Sequence, residues 1–123
     1  MPRTDVVIYQ ESAWEVPLLE WLDGLLPKAR DKCIVKVELL EEKGHELRRP
    51  HCDLSKQGIY ELRARLGNVH YRILYAFVHK NVVLLSHGCT KGKKVPKREI
   101  NRAIRNRDNY TENPKAHTFL GEL

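Results

Sequence analysis

The feature that most limits the fold is a series of three runs rich in β-branched and aromatic residues, set so close together that each must turn back on the last. Ile59 to Arg65 alternates apolar and polar residues, Val69 to Val78 is long and aromatic, and Val82 to Cys89 is rich in valine and leucine. Leu66-Gly67-Asn68 separates the first pair and His79-Lys80-Asn81 the second. A parallel crossover needs a dozen or more residues, so these runs are expected to pair antiparallel as a meander.

The chain before the meander reads as a strand and two helices. Asp5-Val6-Val7-Ile8-Tyr9 is short and β-branched. Ser12 and Glu15 have capping-box spacing, but Pro17 fits better as the first helical residue after Val16. Leu18, Leu19, Leu22 and Leu25 or Leu26 then share one face, with Gly24 and Pro27 at its end. Pro27 opens a second helix to about Lys43, striped by Ala29, Cys33, Ile34, Val37 and Leu40 and stopped at Gly44. Residues 45–58 form a connector rich in turn formers. After the meander, Thr90 to Val95 is a Gly/Lys loop. Pro96 then starts a third helix reaching about Asn109, with Ile100, Ala103 and Ile104 as a narrow apolar stripe. The expected fold is α+β: an N-terminal helical hairpin packed on a twisted antiparallel sheet, with a basic C-terminal helix.

A chain of 123 residues suits one core. One domain is expected over residues 1–110, followed by a tail, 111–123, in which Phe119 and Leu120 are candidates to dock. The apolar runs are too short to span a membrane, and the first residues lack a signal-peptide pattern, so a cytoplasmic location is expected. Cys33, Cys52 and Cys89 are odd in number and widely separated, which suits reduced thiols. His45, His51 with Cys52, and His87 with Cys89 match no standard metal spacing; neither metal nor cofactor is expected.

The charge is unevenly placed. Residues 1–57 carry a net −2 and residues 58–123 a net +8. Between 91 and 107 there are eight Lys/Arg and one acid, Glu99. A basic half on an ordinary core points to a polyanionic partner such as nucleic acid.

Side-chain alternation puts Glu61, Arg63 and Arg65 opposite Leu62 and Ala64, hence away from the core. On the next strand His70 and Arg72 share a face opposite Tyr71 and Tyr75. On the third, His87 and Cys89 are expected to share a face with Val83 and Leu85. Pairing is expected to gather Arg63, Arg65, Arg72 and His87, with Lys91 beyond the strand end. Metal-free RNA cleavage needs a base for the ribose 2′-OH, cations for the charge growing on the phosphate, and an acid for the leaving 5′-oxygen. Clustered arginines suit the second role. A lysine among cations, His87 or His70 suits proton transfer. Tyr71 and Tyr75 offer rings for unpaired bases, and Lys93, Lys94, Lys97 and Arg98 offer charges for phosphates. Arg102, Arg105 and Arg107 fit a solvated helix face or a protein contact. Trp14 and Trp21 fit core or interface positions.

Four segments carry a resemblance. They are Gly58-Ile59-Tyr60-Glu61-Leu62-Arg63-Ala64-Arg65, Tyr71-Arg72-Ile73-Leu74-Tyr75, Val83-Leu84-Leu85-Ser86-His87-Gly88, and Lys91 through Val95-Pro96-Lys97-Arg98-Glu99-Ile100. Over roughly residues 5–110 the chain resembles the phage-derived, HigB-like branch of the RelE/ParE toxin superfamily. The resemblance implies the toxin of a type II toxin–antitoxin system: a metal-independent endoribonuclease that cuts mRNA at the ribosome. Its partner would be a cognate antitoxin, often of helix-turn-helix type. It implies catalytic roles for Arg63, Arg65 and Arg72, with Lys91 near the family's basic residue after the last strand and His87 a further candidate. Two other readings share the fold: a ParE-like inhibitor of DNA gyrase without catalysis, and a degenerate toxin kept as a binding module.

Overall fold

The computed structural model describes residues 3–91 and 94–123, with Lys91 described through its backbone. Its elements run β1 (Asp5–Tyr9), α1 (Pro17–Asp23), α2 (Pro27–Lys43), a 3-10 turn (Gly44–Glu46), β2 (Cys52–Leu54), β3 (Tyr60–Leu66), β4 (Val69–His79), β5 (Val82–Lys91), α3 (Lys97–Glu112) and β6 (Thr118–Phe119). Prolines set all three helix starts. Pro17 and Pro27 occupy the first helical turn, where a missing N–H costs nothing. Pro96 is the extended residue just before α3. Gly44 ends α2 with φ +53°, and a Cβ there would run into the side chain of Thr4, so two independent constraints require glycine.

The sheet has six strands in the order β2-β3-β4-β5-β1-β6. The meander β3-β4-β5 is antiparallel throughout, as the short turns require. β1 inserts beside β5 in parallel, pairing Val6 with Val83 and Val7 with Leu84. The two helices between β1 and the meander supply the long crossover that this pairing needs. The tail closes the other side of β1. Phe119 pairs with Ile8 and Thr118 with Tyr9, and the His117 ring stacks on Tyr9 at 5.3 Å. Of the two candidates to dock, Phe119 packs against the core while Leu120 is 93% exposed.

One sheet face carries Leu62, Ala64, Tyr71, Ile73, Tyr75, Val83 and Leu85, covered by Leu18 and Leu22 of α1 and by Ala29, Cys33, Val37 and Leu40 of α2. The spacing of the α2 residues is the apolar stripe of an amphipathic helix. The opposite face is covered over part of its length by α3, where Ile100 and Ala103 meet Ile59, Leu74 and Ala76, and Tyr110 meets Tyr9 and Leu84. The three cysteines are buried thiols.

One expectation about faces is corrected. Leu74 pairs with His87 but Tyr75 pairs with Leu85, so Ser86 is an extra residue in β5. This β-bulge breaks the two-residue alternation. Val83 and Leu85 therefore point into the main core, whereas His87 and Cys89 join the face of Arg63 and Arg72.

Candidate nucleic-acid interface

Directly paired residues in an antiparallel sheet project to the same side, so the register writes out the outer face in rows. Glu61, Leu74 and His87 form one row. Arg63, Arg72 and Cys89 form the next, and Arg65 and His70 the last, where the His70 backbone pairs with that of Lys91. α3 lies over the first row; in the second, Arg72 and Cys89 are buried and Arg63 half-buried, and in the last Arg65 is exposed and His70 half-buried. There the sheet opens into a cavity of about 500 Å³ whose lining includes Arg63, Arg65, His70, Arg72, Pro50 and Lys36. A second cavity, about 310 Å³, lies on the other side of Arg63 and is lined by Ser55, Lys56, Glu61, Lys94, Val95, Lys97 and Ile100.

The cations in this surface are held by a chain of carboxylates. Buried Glu61 accepts from Arg63 Nε at 2.7 Å and from Arg72 Nε at 3.2 Å through the same oxygen, and from Ser55 Oγ at 3.1 Å through the other. Arg63 also reaches Asp53 at 3.2 Å, which in turn binds Arg49 at 2.9 Å. Desolvation acts to raise the Asp53 carboxyl pKa. The hydrogen bond and charge of Arg49, helped by the Leu54 N–H and Arg63, outweigh it and hold the group below the ordinary carboxylate range. Three arginines thus share two carboxylates, which fixes their geometry and leaves a net positive charge. Arg72 is 5% exposed, Arg63 half-buried and Arg65 exposed, its Nε donating to the Gly67 carbonyl at 2.8 Å.

His87 shares the sheet face of the strand arginines but lies under α3, 1% exposed, and it does not line either cavity. Asn106 Nδ2 donates to Ser86 Oγ at 2.9 Å, which leaves the Ser86 hydroxyl to donate to His87 Nδ1 at 2.8 Å. His87 Nε2–H then donates to Glu99 at 3.0 Å. Burial, with the nearby charges of Arg102 and Arg105, pulls the imidazole down to about 4 against the favourable charge of Glu99. The ring is neutral at pH 7 and latches α3 to β5.

The tyrosines named as stacking candidates are on the far side of the sheet. Tyr71 is buried edge-on to Trp21, with ring centroids 6.4 Å apart. Tyr75 is 1% exposed and stacked on Tyr60 at 5.3 Å, and its burial raises the phenol pKa above the ordinary range. Neither presents a ring face to the basic surface. Lys94, Lys97 and Arg98 are exposed around the start of α3. Lys93 lies outside the described residues, as does the side chain of Lys91. Among the later arginines, Arg107 clamps α3 to the loop between β2 and β3 by donating to the Gln57 carbonyl at 2.6 Å, and Arg105 approaches Glu11 at 3.8 Å.

Lys36, Pro50, His51 and Lys56 did not emerge from the sequence as site residues. Lys36 comes from α2, on the other side of the sheet, and reaches the edge of β3, where its Nζ donates to His51 Nδ1 at 2.7 Å. Its position beside the apolar stripe, next to Val37, is the one sequence signal that it stands at the border of the buried face.

Residues 20–108 match the model of the phage-derived Gp49-like protein family. No curated protein matches the chain. The matched segment runs from α1 through most of α3 and so contains the whole meander and its arginine rows. With that span matched, the chain belongs to the phage-derived Gp49-like family, within the RelE-like type II toxin superfamily.

Proposed function

We propose that this chain is the toxin of a type II toxin–antitoxin system of the HigB-like kind, and that it acts as a metal-independent endoribonuclease on mRNA at the ribosome. The observation that carries the reading is the cavity bounded by Arg63, Arg65, His70 and Arg72, with two of its guanidiniums fixed by buried Glu61. Fixed cations aimed at one small volume stabilise charge that grows there without reorganising during the reaction. A phosphodiester in this cavity meets the strand arginines at its non-bridging oxygens. The ribose 2′-oxygen loses its proton to a base, attacks phosphorus and expels the 5′-oxygen, which takes a proton from an acid. The products are a 2′,3′-cyclic phosphate and a 5′-hydroxyl. His70, in the cavity wall, and Lys91, whose backbone pairs with that of His70, are the proton carriers of this scheme. His87 serves by holding α3, not by touching the RNA. Lys94, Lys97 and Arg98, with Lys93, hold the flanking phosphates, and a cognate antitoxin covers the basic face in the cytoplasm.

The test is purified chain with programmed ribosomes, assayed in parallel for gyrase-dependent supercoiling. Cleaved message with cyclic-phosphate ends is expected. Arg65→Ala, at an exposed position, is expected to lower the cleavage rate on the order of 10²-fold while the protein stays folded. Intact message together with blocked supercoiling would replace this reading by gyrase inhibition.

A further inference from the structure

The strand-end cavity does not stop at the sheet surface. β2 pairs with β3 as far as Cys52 opposite Leu62, and one further bond joins the Arg63 N–H to the His51 carbonyl at 2.8 Å. Beyond that point β3 is an edge. Because backbone groups alternate in direction along a strand, the N–H of Arg65 faces the same side of β3 as that of Arg63, beyond the last bond to His51. Ala64 is small and leaves the edge low. The cavity passes over it to Lys36. A second groove of about 490 Å³ shares Lys36, Ala64 and Arg65 with the first and continues along α2 past Lys32, Asp31 and Val35, which is 58% exposed. The two grooves form one path from the arginine rows, around the edge of β3, onto the outer side of α2.

The path has the chemistry of a single-stranded polyanion track. Arg65, Lys36 and Lys32 line it against one acid, Asp31. Lys36 is half-buried and its ammonium is aimed by His51, which gives a cation of fixed position at the bend. Val35 adds an exposed apolar spot for a base or sugar. We propose that a single-stranded RNA leaves the cleavage cavity over the edge of β3 and that Lys36, positioned by His51, binds the backbone phosphate of a nucleotide flanking the cut. The proposal rests on the nuclease reading for the identity of the strand. It assigns α2 a binding role in addition to its structural one.

The experiment is anisotropy titration of a short, labelled oligoribonucleotide made uncleavable by 2′-O-methylation, over a range of salt concentrations. Lys36→Gln is expected to weaken binding several-fold and to reduce the slope of log K against log salt by about 0.7, the value for one phosphate contact to a single strand. Lys36→Arg should retain both. Lys28→Gln, on the exposed first turn of α2 and outside the grooves, should match the unaltered chain. Backbone NMR on the unaltered protein gives a readout free of any folding defect. Oligonucleotide should shift the amides of Lys36, Ala64 and Arg65 along with those of residues 70–72. Shifts confined to residues 70–72, or a Lys36→Gln titration identical to that of Lys28→Gln, overturn the track. An unaltered chain that does not bind the oligonucleotide overturns it as well. Binding with the predicted Lys36 dependence but no cleavage on ribosomes would sink the nuclease reading and leave the track standing.

Discussion

The latch beneath α3 makes a quantitative prediction about pH. His87 has an ordinary value of 6.5 and is held at about 4 in the folded chain. Its folded pKa is depressed, so between those values the unfolded chain binds more protons than the folded one. Stability therefore rises with pH across this window: the contribution is fully present above about 6.5 and is lost as pH falls toward 4. At 1.36 kcal/mol per unit, a drop from pH 7 to pH 5 removes about 2 kcal/mol through this one ring. For 123 residues unfolding with about 2.1 cal/mol/K each, that is roughly 8 °C in Tm. Other groups titrate in the same range, so the informative quantity is the difference between the unaltered chain and His87→Gln, followed by calorimetry. At pH 7 the variant is expected to be less stable by ~1–3 kcal/mol, because Ser86 or Glu99 loses a buried partner. At pH 5 the gap should narrow by about 2 kcal/mol. Parallel Tm curves for the two proteins would refute the buried, neutral His87 and the polar latch built on it.

Two further substitutions probe the site and its support. Arg72→Met leaves Glu61 with Arg63 and Ser55, so its cost should fall below the ~3–5 kcal/mol of a fully broken buried pair, near 2–3. Adding Glu61→Gln should cost less in that background than in the unaltered chain, and additive urea-unfolding energies would contradict the shared carboxylate. Gly88 pairs with Ile73 on the core face and lies directly under the Trp21 ring. Gly88→Ala would push that indole off its Thr90 hydrogen bond, at a cost of ~1–3 kcal/mol, read as a lowered Tm with a changed tryptophan emission; an unchanged Tm would contradict the packing.

The secondary structure was largely legible because its signals are local. Pro17, Pro27 and Pro96 mark helix starts and Gly44 a helix end, and Gly67-Asn68 and Lys80-Asn81 leave the meander no other arrangement. The placement of β1 beside β5 was not legible, since a five-residue strand carries no record of its distant partner. β2 and β6 are too short to show any period. The arginine rows followed from alternation, and so did the opposite placement of Tyr71 and Tyr75; their burial under α1 and α2 is the consequence of that placement. The bulge at Ser86 reversed one face, and nothing in Leu-Leu-Ser-His signals an extra residue. The burial of His87 and the reach of Lys36 both depend on how helices dock on the sheet, which strand and helix periods leave open.

The central claim is that the open end of the β3-β4-β5 face cuts messenger RNA. Its most direct test is to induce the chain in cells and map transcript 5′ ends genome-wide, beside an Arg65→Ala strain expressing the same amount of protein. New 5′-hydroxyl ends within translated regions, appearing on induction and strongly reduced in the variant, are predicted. Growth arrest with intact transcripts would contradict the claim.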